Sequence, residues 1–269
     1  MFKLFAVLGF LSLGVSSSGT NRDGITNHQR EYPTRVLAGV TVVDTPLVRS
    51  ALDYAKAHSG ESLYNHVVRS WLFGALIVSH NATLQSSIDL ELHAVATVLH
   101  DLGLDLSSPD LVSKDKRFEV DGAFAATSFV EKHADGKKWD KQKVQLVWDS
   151  IALHTEPSFA LFKEPVVQLV FTGTQQDFFG PAQGVTKDEY AKVLKDFPKG
   201  DILKTMNETV IWLCHNKPQT TWGKLTSVLS NAAANETDTW QQTWGDKFVK
   251  NYTAQRPTRY DQLLGAPVV

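Results

Sequence analysis

The chain has 269 residues, 42% of them hydrophobic and 21% charged, with a net charge of −2. That balance fits a packed globular protein. It leaves no basic excess for nucleic acid and no basic amphipathic stripe for a membrane surface. The single cysteine, Cys214, excludes an intrachain disulfide; it stands in the apolar run Val210-Ile211-Trp212-Leu213 and reads as a small buried hydrophobe.

Residues 1–18 differ in composition from the rest of the chain. Lys3 gives a positive start, the stretch from Leu4 to Val15 is apolar apart from Ser12, and Ser16-Ser17-Ser18 suits cleavage. This pattern reads as a secretory signal peptide, too short for a comfortable membrane span, with a buried first helix as the alternative. Four glycan acceptor sequons, at Asn81, Asn207, Asn235 and Asn251, each ending in Thr, fit the same secreted route. Residues 19–45 are polar and read as a flexible mature N-terminus, so the folded domain is expected over 46–269. No membrane contact is expected once the signal is removed.

From Pro46 the helical period dominates. Val48, Leu52 and Ala55 share one face, with Pro46 in the first turn where proline is tolerated. The run from Leu63 to Ser79 is apolar on most sides and reads as a buried helix, with His66 and Arg69 three residues apart on a shared face. A helix is expected over 86–101, ending in Leu99-His100-Asp101-Leu102-Gly103, with Gly103 as its C-terminal cap. His93 shares the face of His100 but lies about 10 Å away along the axis, so it reads as structural. His58 and His80 sit at polar segment ends and read as solvated.

Further helices are expected over 120–133, from an N-cap at Asp140 to His154, and from Glu164-Pro165 through Phe171. His154 points inward at a helix end, and Pro157 stops that helix. Asp177 follows an apolar run and is flanked by Phe178 and Phe179; it is either paired or metal-bound inside the protein, or exposed at a frayed end. Thr186-Lys187-Asp188-Glu189 is a capping box. Helices over 202–215 and 228–249 complete the chain. No sustained two-residue alternation, Gly-rich phosphate loop, Gly-x-Ser-x-Gly elbow or Cys-x-x-Cys occurs. The chain reads as one all-α domain.

His66, His100, Asp101 and Asp177 each stand at or near the end of an apolar helix. Two imidazoles and two carboxylates could hold a divalent metal ion, Zn2+ first, with Fe2+ or Mn2+ as alternatives. His66 could instead be a satisfied core histidine, and His100-Asp101 a chance pair on a helix end.

The order His … His-Asp … Asp on helices resembles the HD-domain superfamily of metal-dependent hydrolases. The likeness extends to its fungal cyanamide-hydratase-like branch in Leu63-Tyr64-Asn65-His66-Val67-Val68-Arg69-Ser70, Leu99-His100-Asp101-Leu102-Gly103 and Arg117-Phe118-Glu119-Val120-Asp121-Gly122-Ala123. It continues in Ile151-Ala152-Leu153-His154-Thr155, Phe171-Thr172-Gly173 with Asp177, and Lys217-Pro218-Gln219-Thr220-Thr221. It covers about residues 62–229 and implies an HD-domain helical bundle with a buried metal site.

The resemblance also implies a metal-activated water attacking a small molecule, with a nitrile such as cyanamide as one substrate. His66, His100, Asp101 and Asp177 would be the ligands, and Asp101 would also accept a proton. His154 would contact substrate or complete a second metal position. Arg69 would orient an outer carboxylate, Glu119 or Asp121, unless those two simply complement a helix dipole. Two departures stand out. Leu104 occupies a position where many HD phosphohydrolases carry a phosphate-anchoring Lys, and this chain reads as exported whereas the hydratases it resembles are cytosolic. A phosphohydrolase using Arg69, Lys114, Lys116 and Arg117, and a non-enzymatic secreted binding protein, are the competing readings.

Overall fold

A computed structural model describes residues 32–108, 110–217 and 220. The expected signal peptide, residues 19–31, the helix over 228–249 and the sequons at Asn235 and Asn251 lie outside them, as does the side chain of Cys214. The described chain is mostly helical with one small two-stranded sheet. Among these residues no helix is long and apolar enough to cross a membrane.

The sheet corrects the sequence reading. The stretch read as flexible up to residue 45 holds an antiparallel hairpin, β1 (Thr34–Leu37) and β2 (Val40–Val43), in the register Thr34↔Val43 and Leu37↔Val40. Its two-residue turn places Ala38 and Gly39 at positive φ (50° and 79°), the backbone twist that joins two strands most tightly. Val40, Val42 and Val43 are buried in the main core, which fixes the hairpin to the helices.

Thr45 then caps α1 (Pro46–Ala57) by accepting a hydrogen bond from the Val48 N–H, with Pro46 in the first turn. The long helix α2 (Glu61–Ser79) runs through the interior, burying Val67, Val68, Trp71, Leu72, Phe73 and Ile77. The helix expected over 86–101 is divided. A short α3 (Ala82–Ser87) stops at extended Ile88, and Asp89 caps a separate α4 (Leu90–Val98) through the amides of Glu91 and Leu92.

His100 and Asp101 therefore lie beyond the helix, in the turn before a 3-10 segment at Leu102–Leu104. Gly103 is inside that segment and is not a helix cap. Its role is close approach: a Cβ there would meet the Phe118 carbonyl oxygen at 2.0 Å. The turn thus lies backbone against backbone on α5 (Phe118–Lys132).

After α5 come α6 (Lys141–Ala152), capped by Asp140, the short α7 (Pro157–Ala160) and α8 (Pro165–Phe179). The Thr186–Glu189 capping box opens α9 (Lys187–Asp196), and α10 (Ile202–Asn216) follows. Helix α8 lies along α2, so close that a Cβ on Gly173 would stand 2.6 Å from the Ser70 carbonyl oxygen. The main apolar core is built on α1, α2, α4, α5, α6, α8 and α9. A second, smaller cluster joins Leu63, Leu104, Ile202 and Leu213 with Phe118, Leu203 and Met206.

Candidate metal centre

Two helix ends and the first half of α2 deliver the site, backed by the last turn of α8. The imidazoles of His100 and His154 are held in the same way. Helix α4 ends at Val98 with Leu99 as its cap, and His100 turns its Nδ1–H back onto the Thr97 carbonyl at 2.7 Å. Helix α6 ends at Ala152 with Leu153 as its cap, and His154 gives its Nδ1–H to the Ile151 carbonyl at 2.6 Å. Both acceptors lie in a last helical turn, where carbonyls lack intrahelical partners. Once Nδ1 carries the proton, each neutral ring presents the Nε2 lone pair to the interior.

His66 projects from the first half of α2 and donates Nδ1–H to Asp177 Oδ2 at 2.6 Å, so its Nε2 also faces inward. All three Nε2 atoms converge on one carboxylate. His100 Nε2 stands 3.2 Å from Asp101 Oδ2, His66 Nε2 3.6 Å from the same oxygen, and His154 Nε2 3.5 Å from Oδ1. The His100 ring is edge-on to both neighbours, its centroid 5.2 Å from that of His66 and 4.6 Å from that of His154. Exposure runs from 0% at His100 to 3% at His154, so bulk water does not satisfy these groups.

His100 Nε2 and both Asp101 oxygens are buried without a hydrogen-bond partner. Each such atom costs about 1–3 kcal/mol if left unmatched. Burial pushes the Asp101 carboxyl up, but the surrounding imidazoles of His100, His154 and His66 more than offset it and hold it well below the ordinary carboxylate range. An ionised carboxylate facing inward lone pairs is suited to a cation. Ligand atoms of His66, His100 and Asp101 fall within 4.8 Å of one another, a buried group that could hold a metal ion.

Asp177 does not share this cluster. It lies in the last turn of α8, where Arg69 Nε donates to Oδ1 and Arg69 Nη2 to Oδ2, both at 2.6 Å, while His66 takes the other side of Oδ2. Burial raises its carboxyl, yet the bonds from Arg69 and His66 bring it down to about 2. The structure thus moves Asp177 from the expected ligand set to the position behind His66, where it fixes tautomer and ring orientation.

The carboxylate that Arg69 meets is therefore Asp177 and neither Glu119 nor Asp121. Glu119 takes both nitrogens of an Arg117 fork and the Thr155 hydroxyl, tying the start of α5 to the turn that carries His154. Burial opposes ionisation of Glu119, and Arg117 overcomes it and lowers its pKa. Asp121 accepts from the Ser113 N–H and from buried Lys217.

Other expectations resolve plainly. His93 is buried as a core residue, and desolvation lowers its pKa to about 3. His58 and His80 are not simply solvated: the first meets Asp105 at 2.7 Å and the second Glu189 at 2.9 Å. Asn81 and Asn207 are both exposed, Asn81 also capping α3 through the Leu84 N–H.

The part of the site that sequence reasoning undervalued is the equivalence of His100 and His154. The signal was present as Leu-His at two helix ends, Leu99-His100 and Leu153-His154. No family model matches the chain, and no curated protein matches it either.

Proposed function

We propose that this protein is a metal-dependent hydrolase or hydratase that adds water to a small molecule, with an HD-domain type of centre. The observation that carries the reading is the set of buried, unmatched donor atoms on His100 and Asp101, with the Nε2 atoms of His66 and His154 aimed at the same carboxylate. His66, His100 and Asp101 would hold the cation, with His154 adjacent as a further ligand or substrate contact. Three imidazoles and a carboxylate favour Zn2+, with Fe2+ or Mn2+ as alternatives. When bound, such an ion supplies Lewis acidity that makes water nucleophilic near neutral pH.

The protein groups divide the remaining work. Asp101 is ionised and can receive a proton at a carboxylate oxygen. Arg69 and Asp177 hold the His66 ring in place from behind. Glu119, through Thr155, steadies the His154 turn. For a nitrile such as cyanamide, net addition of one water across the C≡N bond gives urea.

A phosphoester substrate is less well supported. Arg69 is committed to Asp177 and to the carbonyls of Phe197 and Pro198, and Arg117 to Glu119 and Glu156. Lys116 pairs with Asp115 on the surface. Export is proposed from residues 1–18, with Asn81 and Asn207 exposed and open to glycosylation.

The test is metal analysis of purified protein alongside His100→Ala and Asp101→Ala. Loss of bound metal in both variants is the expected result, and full occupancy in both overturns the reading. Incubation with cyanamide and with a nucleotide panel, assaying urea and phosphate, separates the two substrate classes.

A further inference from the structure

The donor atoms are almost fully buried, so anything that reaches them requires a neighbouring element to move. The elements that carry the donors and their supports, α2, α4, α6 and α8, share the main apolar core. Helix α10 is different. Its Ile202, Leu203, Met206 and Leu213 belong to the second cluster, whose other members stand on or next to the segments that carry the site. Leu63 is three residues before His66 on α2, so the two lie on one helical face. Leu104 is three residues after Asp101, and the Phe118 ring stands edge-on to His154 at 5.7 Å between centroids.

The helix is fastened at its two ends. At the start, Arg69 Nη1 donates to the Phe197 and Pro198 carbonyls, Asn65 to Pro198, and the Asp201 N–H to Ser62 Oγ. Gly200, at φ 51°, lies within this joint and allows a sharp change of direction. At the far end, Lys217 follows the last helical residue, is 2% exposed, and sets Nζ 2.5 Å from Asp121 Oδ2 on α5.

We infer that α10 is a cover over the centre, hinged at residues 197–201 and latched by the Lys217–Asp121 ion pair. Its apolar face makes an ionised group costly to bring through while the cover is closed. Arg69 links hinge and centre directly, since the same guanidinium grips both Pro198 and the Asp177 that orients His66.

The inference rests on the metal reading for what lies beneath the cover, and the test separates the two. The full chain is compared with an Asp121→Asn/Lys217→Gln double variant, which removes both buried charges together, and with Met206→Ala, which leaves the latch intact. Zinc uptake and its release to excess chelator are followed by stopped flow. Loosening a cover speeds passage in both directions, so in both variants the two rates are expected to rise about tenfold with Kd unchanged within about twofold. Rates unchanged in folded variants overturn the cover, as does faster release with proportionally weaker binding, because that pattern belongs to damaged donors.

If the unmodified protein binds none of Zn2+, Fe2+ and Mn2+, the metal reading fails alone. Amide hydrogen exchange then decides the cover. Exchange of α10 as a unit ahead of α2, α4 and α8 upholds it, and exchange of α10 only with global unfolding overturns it.

Discussion

Arg69 and Asp177 meet through two parallel hydrogen bonds, each 2.6 Å long, with the side chains 0% and 1% exposed. A guanidinium is the one side chain whose rigid fork fits both oxygens at once. Removing it strands a buried carboxylate and frees the carbonyls of Phe197 and Pro198. Arg69→Leu is expected to cost about 3–5 kcal/mol, and Arg69→Lys less, since an ammonium retains charge without the fork. Urea unfolding of metal-free protein measures both, and a loss below about 1 kcal/mol for Arg69→Leu contradicts the account.

Asp177 stands behind His66 and outside the cluster of His66, His100 and Asp101. Its loss should therefore weaken metal binding without abolishing it. Asp177→Asn is expected to lower zinc affinity by about 10–100-fold, the usual effect of losing an outer carboxylate behind a histidine ligand. His100→Ala should fall much further. Competition with a zinc-binding dye gives both constants. Equal effects of the two substitutions would return Asp177 to direct ligation.

Gly103 packs its α-carbon against the Phe118 carbonyl, and the obstruction to a side chain there is backbone. Gly103→Ala must push the His100-Asp101 turn off the start of α5. A loss of at least about 3 kcal/mol is expected, together with reduced metal content. Thermal unfolding and metal analysis check it, and a folded, fully loaded Gly103→Ala protein refutes the close joint.

His93 supplies a pH dependence remote from the centre. Burial lowers its pKa from about 6.5 to about 3. Between those values the unfolded chain holds a proton that the folded chain does not, so stability falls as pH falls, by up to about 1.4 kcal/mol per pH unit. Below about 3 the folded state also takes the proton and this contribution levels off. His93→Gln should flatten the slope between about pH 6 and 4.5, measured by denaturant unfolding against the parent protein. Identical slopes would exclude His93 as the source.

The helices were legible because their signals are local. Pro46, Asp140, Glu164-Pro165 and the Thr186–Glu189 box mark starts that the structure reproduces within a residue or two. The hairpin was not legible as sheet because strands of four residues are too short for alternation to emerge, although Ala38-Gly39 between two β-branched runs was a usable turn signal.

At the site, the sequence grouped His66, His100, Asp101 and Asp177 and set His154 apart, whereas the structure clusters His66, His100 and Asp101 with His154 beside them and Asp177 behind His66. Their orientation was not legible. Asp177 occupies the layer behind His66 because Arg69, one turn along the same helix, draws it there, and no spacing rule distinguishes a carboxylate on a metal from one on an arginine. Helix α4 ended earlier than its apolar run because Asp89 starts it and Leu99 closes it, leaving the His-Asp pair in a turn.

The anchors of His100 and His154 are main-chain carbonyls, those of Thr97 and Ile151, whereas the anchor of His66 is the side chain of Asp177. No single-codon change can delete a carbonyl. Two of the three imidazoles are therefore oriented by atoms that every residue type supplies, and their aim is inherited with the helix end itself. The third can be lost through its partner as readily as through itself. Under random mutation the outer support of the centre should fail most often at Asp177 and Arg69, whereas positions 97 and 151, both buried, should admit only residues that fit the core, and those that do should keep metal binding.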